Sequence, residues 1–311
     1  MREPACVGAF IRDAANRVYV HHRTATRRLL PDTWDIVGGH LEPGETPEQA
    51  LAREIEEETG WRLRRVEAVV ADWEWCLDGV VRRELDYLVE VDGDLTAPRL
   101  EEGRHDAGAW VGPGDLDLMM AGRTDGDRRL RDLVARVVRT RLTERLRLEP
   151  IGPCHAADLH AIHRDEAVAH WHAGRWSAET AASYAARAAR AWEADGVHKW
   201  IAYERSTGEL VGRGGLSLTE VDGARRLEAG WTVRDHLRGR GFATEIGRAA
   251  LAFAFTELGA EQVVAFTEPH NTRSRAVMER LGMSRPRPIT HRGEPFVLYT
   301  ADAPGSGSGR G

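Results

Sequence analysis

A run of glutamates between two glycines contains the residue types best suited to holding a divalent cation. The stretch GGHLEPGETPEQALAREIEEETGW covers residues 38–61, and its REIEEE segment covers residues 53–58. Carboxylate oxygens are preferred ligands of Mg²⁺, which proteins use to bridge carboxylates and substrate phosphates. Acidic segments also occur on ordinary solvated helices. The choice between these readings depends on which glutamates share one face.

The flanking residues predict a single helix over residues 47–59. Thr46 and Gln49 match a capping box, and Pro47 occupies the first helical position. Gly60 is typical of the residue that ends a helix. The helix therefore has a start signal and a stop signal on either side of the acidic segment.

Three of the glutamates share one face of this helix. At about 100° per residue, Glu54, Glu57 and Glu58 fall within one arc, whereas Glu56 points elsewhere. Glu54 and Glu58 repel each other as an i,i+4 pair, and no lysine offsets them. A cation would convert that repulsion into binding, and the glycine at Gly39 would let a backbone carbonyl approach it.

The complete string resembles the Nudix box of the Nudix hydrolases. Gly39 is followed after five residues by Glu45 and after seven more by the segment 53–58, and then Gly60 precedes a large apolar residue. That last residue, Trp61, departs from the aliphatic residue usual in the family. The resemblance covers the first part of the chain and rests on constrained positions at fixed spacing.

The resemblance implies a role for each of these side chains. Glu57 and Glu58 would be the main metal ligands, and Glu54 would share that work or deprotonate water. Arg53 would orient the glutamates through salt bridges, and the Gly39 carbonyl would complete the metal shell. The implied reaction is Mg²⁺- or Mn²⁺-dependent hydrolysis of a nucleoside diphosphate linked to another group. Outside the box, the general-base candidates on a later loop are Glu101 and Glu102.

A second chemical pattern lies in RGRGFA, residues 238–243, between a predicted strand and a predicted helix. Such a glycine turn leaves backbone N–H groups open to phosphate at a helix N-terminus, although many such turns only reverse the chain. With EPHNTRSRAVMERLGM at residues 268–283, it resembles the GNAT N-acetyltransferases over residues 145–303. The likeness is greatest to the branch that acetylates protein N-termini, which also contains small-amine acetyltransferases.

This second resemblance implies acetyl transfer from acetyl-CoA to an amine. Glu228 on the central strand is the candidate base. Many relatives use a tyrosine acid where this chain has Met278, so Ser274 is the substitute candidate. The positions expected to bind acetyl-CoA are Val233, Arg238, Gly239, Arg240, Gly241, Ala243 and Asn271.

The length of 311 residues fits two domains of mixed α/β class. We expect a Nudix α/β/α sandwich over residues 1–142 and a GNAT mixed sheet with flanking helices over residues 145–303. A linker helix over about 127–145 should end the first domain, with the boundary near Thr143. The glycine- and serine-rich tail, residues 304–311, is expected to be disordered.

Composition excludes several classes of partner. The net charge is −6, so binding to nucleic acid or to an anionic membrane is not expected. The chain has three scattered cysteines, no secretory signal pattern and no long apolar run, which favours the cytoplasm. Two histidine pairs, 160/163 and 170/172, lack an acidic or cysteine partner and favour a solvated segment over a metal site.

The function predicted from the sequence is therefore a fusion of a pyrophosphohydrolase and an acetyltransferase. An alternative is that the Nudix half only senses a nucleotide and regulates the acetyltransferase half. The basic segment 21–35, with its aromatic Trp34, would contact phosphate or base, or else belong to the core. The nucleotide, the amine acceptor and the oligomeric state are not determined by these patterns.

Overall fold

The computed structural model describes residues 2–304 except 78, 125–127, 172–173 and 222. The chain divides into two compact units between Arg139 and Thr140. Each unit has its own hydrophobic core, as expected for a chain of this length. The predicted tail, apart from Pro304, lies outside the described residues, and so do His172 and Asp127.

The first unit is built on mixed sheets. Its described strands are β1 (Pro4–Ile11), β2 (Val18–Arg23), β3 (Trp34–Asp35), β4 (Val37–His40), β5 (Arg62–Leu77), β6 (Val80–Asp92) and β7 (His105–Val111). Its described α-helices are α1 (Pro47–Thr59) and α2 (Arg128–Arg139), and a 3₁₀ turn covers Leu116–Met120. One sheet has the order β4-β1-β6-β5, with β1 and β6 parallel, and the other has the order β3-β2-β7.

Helix α1 is anchored by its apolar stripe. Leu51 and Ile55 are fully buried with Val7 and Val37 of the larger sheet. Burying such side chains contributes about 1.5–3 kcal/mol each, which more than offsets the repulsion between glutamates on the neighbouring face. The acidic face is therefore held beside the end of β4.

The second unit has one sheet of eight described strands, in the order β14-β15-β13-β12-β11-β10-β9-β8. These strands are β8 (Arg141–Leu142), β9 (Leu146–Pro150), β10 (Lys199–Glu204), β11 (Leu210–Val221), β12 (Ala224–Val233), β13 (Gln262–Thr267), β14 (Ser284–His291) and β15 (Glu294–Asp302). Its α-helices are α3 (Ala156–Arg164), α4 (Glu166–Ala169), α5 (Ala178–Asp195), α6 (Phe242–Ala252) and α7 (Thr272–Arg280). Shorter 3₁₀ turns lie at Pro153–His155 and Asp235–Leu237, and a π-helical turn at Phe253–Glu257 continues α6.

Strands β12 and β13 are parallel and diverge. The recorded pair is Glu228 with Val264, and β12 continues to Val233 beside β11 alone. Everything else in the sheet is antiparallel. The divergence leaves one edge of β12 open beyond Glu228.

The mixed α/β architecture predicted from the sequence is confirmed, but the linker helix is shorter than expected. It ends at Arg139 rather than near residue 145. Residues 141–142 instead pair with β9, and the Thr143 amide donates to the Leu146 carbonyl at 2.8 Å. Strand pairing thus takes over the backbone groups that a longer helix would have used.

Candidate active sites

Helix α1 presents its acidic face as the sequence predicted. The Thr46 side chain caps the Gln49 amide, the Gln49 side chain caps Thr46, and Gly60 adopts a left-handed conformation with φ 74°. Within the helix, Glu54 and Glu58 are buried and Glu56 is exposed.

Arg53 connects the glutamates of the Nudix string. Its Nε donates to Glu45 Oε1 at 2.8 Å, and its Nη1 donates to Glu54 Oε1 at 2.8 Å and to Glu57 Oε2 at 3.1 Å. Its Nη2 also donates to the His40 carbonyl at 3.0 Å. Hydrogen bonding to Arg53 lowers the pKa of Glu45 to about 2. One guanidinium therefore joins the loop before α1 to the acidic face of α1.

Two carboxylates of this face are held against the glycine pair that ends β4. A side chain at Gly39 would place its Cβ 2.3 Å from Glu54 Oε1, so a larger residue at this position would displace the Glu54 carboxylate. The Gly38 amide donates to Glu58 Oε2 at 2.9 Å. Burial raises the pKa of Glu54 and raises that of Glu58 well above its usual value.

This donor set fits a hard divalent cation. Glu54 and Glu58 are both held at the glycine pair 38–39, and burial makes their ionised forms unfavourable without a counter-charge. Their oxygens suit Mg²⁺ or Mn²⁺. Among the described residues, the ligand atoms of His21, Glu58 and His105 also lie within 4.8 Å of one another, so two imidazole nitrogens lie beside these carboxylates. Glu57 is half-exposed and adds a carboxylate on the open side.

Two histidines that the sequence did not single out enclose Glu58. His21 Nε2 lies 3.9 Å from Glu58 Oε2, and His105 Nε2 lies 3.7 Å from Glu58 Oε1. The imidazoles are stacked with centroids 3.6 Å apart and are buried. Burial is the main cause that lowers both pKa values, that of His105 to about 4, so both rings are neutral at pH 7. They come from β2 and β7, and no local pattern links them to α1.

The two candidate bases differ in their surroundings. Glu101 acts electrostatically on both Glu54 and Glu58 and helps to raise their pKa values. Its Oε2 is buried without a hydrogen-bond partner among the described residues, while Oε1 pairs with Arg104 at 3.0 Å. Glu102 is exposed. The geometry thus favours Glu101 over Glu102 as a group that acts at this site.

A second carboxyl pair, also missed from the sequence, lies on β6. Trp73 Nε1 donates to Asp86 Oδ2 at 2.9 Å, and Trp75 Nε1 donates to Glu84 Oε2 at 2.6 Å. Burial raises the pKa of Asp86 to about 6 and that of Glu84 to about 9.

Trp34, the aromatic residue of the basic segment 21–35, is half-buried beside His22, and the centroids of the two rings are 5.2 Å apart.

In the second unit, the turn before α6 exposes backbone donors. Gly239 and Gly241 have φ values of 78° and 86°, and the helix has no side-chain cap. Free N–H groups at a helix N-terminus suit a pyrophosphate. Arg238 is engaged locally, since its Nη1 donates to Asp235 at 2.6 Å and its Nη2 to the Ala167 carbonyl at 3.0 Å.

The neighbouring arginines hold this turn from outside. Arg240 donates to Glu204 at 3.1 Å and lies over the Phe242 ring. Arg145, which the sequence did not single out, donates to the Arg240 carbonyl at 2.8 Å and to Glu245 Oε2 at 2.8 Å. Ala243 is half-buried in the first turn of α6. Charged hydrogen bonds therefore fix the turn to the end of β10 through Glu204, and to α6 through Arg145, which directly precedes β9.

Glu228, the candidate base, is paired on one oxygen only. Lys199 Nζ donates to Oε2 at 3.0 Å, and Ser217 Oγ donates to the same oxygen at 2.7 Å. Burial acts to raise the pKa of Glu228, but Lys199 and Ser217 outweigh it and the pKa is lowered. Oε1 has no recorded donor among the described residues. Lys199 is the only lysine in the chain, a signal that could have drawn attention to this pair.

The residues predicted on α7 have mainly structural contacts. Asn271 caps the helix by accepting from the Ser274 amide at 3.1 Å, so its side chain is engaged. Ser274 is half-buried and Met278 is buried in the core. A buried tyrosine, Tyr299, accepts from Arg275 Nε at 3.1 Å. The structure thus places no tyrosine hydroxyl at Met278 itself.

Comparisons with known proteins agree with this division. A NUDIX domain model matches residues 2–135, and an Acetyltransferase (GNAT) domain model matches residues 145–284. The nucleoside triphosphatase NudI of Escherichia coli is 36% identical over 112 residues, which are 31% of this chain and 76% of that protein. By its N-terminal unit the chain belongs to the Nudix family, and its C-terminal unit contains a GNAT acetyltransferase domain.

Two further similarities concern parts of the chain. The uncharacterized protein YkkB of Bacillus subtilis is 31% identical over 104 residues, and the chain spans 60% of its length. The crystal structure of an acetyltransferase from Agrobacterium tumefaciens is 24% identical, with a TM-score of 0.46, covering 52% of this chain and 93% of that one. Among the helices that the structure describes, none has the length and apolar character needed to cross a membrane.

Proposed function

We propose that the first unit hydrolyses a nucleoside diphosphate linked to another group, with Mg²⁺ or Mn²⁺. The observation that carries this proposal is the pair of buried carboxylates, Glu54 and Glu58, held against the glycine pair 38–39. When bound, the cation would neutralise phosphate charge and lower the pKa of the attacking water. The charge balance of the site supports the proposal, because burial disfavours ionised Glu54 and Glu58 without a cation.

The side chains of this unit then have distinct proposed tasks. Glu54, Glu57 and Glu58, with the Gly39 carbonyl, hold the cation. Arg53 fixes the orientation of Glu54 and Glu57 through its hydrogen bonds. Glu101, whose buried Oε2 has no hydrogen-bond partner in the part of the chain that the structure describes, is the proposed acceptor of the proton from water.

A panel of nucleotides tests this function. Because NudI is a nucleoside triphosphatase, nucleoside triphosphates come first, followed by nucleotide sugars, dinucleotides and CoA. Phosphate or pyrophosphate release that requires Mg²⁺ is the expected result. The alternative, a nucleotide sensor that regulates acetyl transfer, predicts binding without turnover. Arg53 is hydrogen-bonded to Glu45, Glu54 and Glu57, and this ordered arrangement of charged side chains favours catalysis over sensing.

We also propose that the second unit transfers acetyl from acetyl-CoA to a primary amine. The turn 238–243 would receive the pyrophosphate, and the open edge of β12 at Val233 would pair with the pantetheine arm. The observation that carries this proposal is the divergence of β12 and β13 directly beyond Glu228. Asn271, engaged as a helix cap, would contribute by ordering α7.

In the transfer itself, one proton leaves the amine and one reaches the thiolate. Glu228 Oε1 is the proposed acceptor of the ammonium proton, directly or through water, before nitrogen attacks the acetyl carbonyl. The C–N bond forms as the C–S bond breaks, and Ser274 is the proposed donor to the departing thiolate. The test is CoA release from acetyl-CoA with a panel of peptides and small amines. No release with any of them, despite acetyl-CoA binding, would contradict the proposal.

A further inference from the structure

Arg213 is a buried cation without a carboxylate partner among the described residues. It lies on β11 with only 7% of its surface exposed. Its Nε donates to His163 Nε2 at 3.0 Å, and its Nη1 donates to the Tyr184 hydroxyl at 3.1 Å. The guanidinium also lies 5.4 Å from the Trp176 ring centroid. Buried charges are normally paired, so this arrangement calls for an anion.

The donors left on the guanidinium match a carboxylate. Arginine has five N–H donors in a fixed fork. Two of them are used by His163 and Tyr184. The remaining hydrogens on Nη1 and Nη2 form the end-on edge that binds a carboxylate through two parallel bonds. Neither neighbour that accepts from Arg213 carries a negative charge, and Glu228, the carboxylate on which Arg213 acts electrostatically, is already paired with Lys199.

The register of the sheet places this cation on the face that carries the proposed base. Arg213 and Ser217 are four residues apart on β11 and so project from one face. Ser217 pairs with Glu228 on β12. The positions between them on the two strands are Gly215 and Gly230, which pair with each other. The interval between the two charged centres therefore carries no side chain from β11 or β12, and the neighbours that approach it come from Glu228 itself and from β10: a Cβ at Gly230 would lie 2.7 Å from Lys199 Nζ, and one at Gly215 would lie 2.7 Å from the Trp200 ring.

The charges around this interval leave a positive excess. Lys199 and Glu228 neutralise each other at 3.0 Å, and a neutral His198 lies near both Arg213 and Glu228. Burial lowers the pKa of His198 to about 4, with Lys199 and Arg213 adding to the effect. Arg187, on α5, adds a further positive charge. An acceptor bearing an anion would balance Arg213.

We propose that the acetyl acceptor is a small primary amine that also carries a carboxylate, bound by Arg213 while its ammonium lies at Glu228. This inference rests on the proposed acetyltransferase function and narrows its acceptor. Arg213 and Ser217, the partner of Glu228, are four residues apart on β11, which is about 13 Å between their Cα atoms. The side chains of Arg213 and Glu228 span part of that distance. The ammonium and carboxylate are therefore several bonds apart, as in an ω-amino acid. A protein N-terminus has no such carboxylate at a fixed distance.

Matched ligand pairs test the proposal on the full chain. A homologous series of ω-amino acids and their carboxamides is assayed by CoA release, and binding of each compound is measured separately by calorimetry. The acids should exceed their amides by about 10- to 100-fold in kcat/KM, and that preference should disappear in Arg213→Gln through KM. Arg225→Gln removes an exposed arginine of the same sheet and should keep the preference.

The calorimetry separates this inference from the proposed function. Binding of acids but not amides, lost in Arg213→Gln, supports the inference even if no acetyl is transferred. Equal binding of acids and amides by the unaltered chain, or no binding of any acid, overturns it even if other amines are acetylated. Acetyl-CoA binding by Arg213→Gln, expected to be unchanged, shows that the variant is folded. If Arg225→Gln also lost the preference for acids over carboxamides, the preference would reflect the overall positive charge of the protein rather than a contact with Arg213. That result would also overturn the inference.

Discussion

The two sites of this chain are built from opposite charge arrangements. In the first unit, Glu54 and Glu58 are buried together, and burial raises the pKa of both carboxyls although Arg53 pairs with Glu54. In the second unit, Glu228 is compensated by Lys199, and the surplus charge is positive at Arg213. The first arrangement suits a cation and the second suits an anion. On the proposals made above, the sign of the buried charge that lacks a close partner is what distinguishes the ligand of each site.

The largest expected effect is on the first site. Glu58→Gln should lower hydrolysis by about 1,000-fold, because a ligand to the cation and to its charge balance is lost. The same change should raise the melting temperature without Mg²⁺, since a buried carboxyl with a disfavoured charge is removed. Rates at saturating Mg²⁺ and thermal unfolding with and without Mg²⁺ measure both effects. Glu56→Gln, on the exposed face of α1, is the control; equal loss in both variants would contradict the assignment.

The next comparison separates two adjacent glutamates. Glu101→Gln should lower the hydrolysis rate by about 300-fold, because a general base is worth 10²- to 10⁴-fold, whereas Glu102→Gln should change it little. The single-turnover rate with the preferred nucleotide is the measurement. Comparable rates in the two variants would exclude Glu101 as the base.

The third prediction concerns the ion pair between Lys199 and Glu228 in the second site. Glu228→Gln should lower acetyl transfer by about 100-fold and destabilise the unit by about 3 kcal/mol, because Lys199 is left buried and unpaired. Adding Lys199→Met should restore stability but not the rate. Steady-state CoA release and urea unfolding provide the two readouts. Recovery of the rate in the double variant would show that Glu228 acts only by pairing with Lys199.

The smallest effect concerns another paired group of the second unit. Cys154 and Glu149 outweigh burial and raise the pKa of His155 to about 9. A folded pKa above the usual 6.5 means that this stabilisation is complete below pH 6.5 and is lost as the pH rises through 9. We expect a loss of about 3 kcal/mol over that interval. Urea unfolding from pH 6 to 10 measures it, and His155→Gln should flatten the profile; an unchanged slope would refute the pairing.

Local features of both sites were predictable because their signals are short in range. The bounds of α1, its capping box and Gly60 follow from adjacent residues. The predicted C-terminal end of the linker helix was wrong. The helical spacing of apolar residues continues past Arg139, but residues 141–142 pair with β9 instead. The roles assigned to individual site residues remain predictions.

The sequence by itself determined which glutamates share a face of α1 and that a glycine turn precedes α6, because helical period and turn chemistry depend on neighbouring residues. Only the tertiary structure decided which charges are compensated. His21 and His105 reach Glu58 from β2 and β7, and Lys199 reaches Glu228 through the order of β10, β11 and β12. Electrostatic balance is a property of distances between groups remote in the chain, and those distances exist only once the strands are in register.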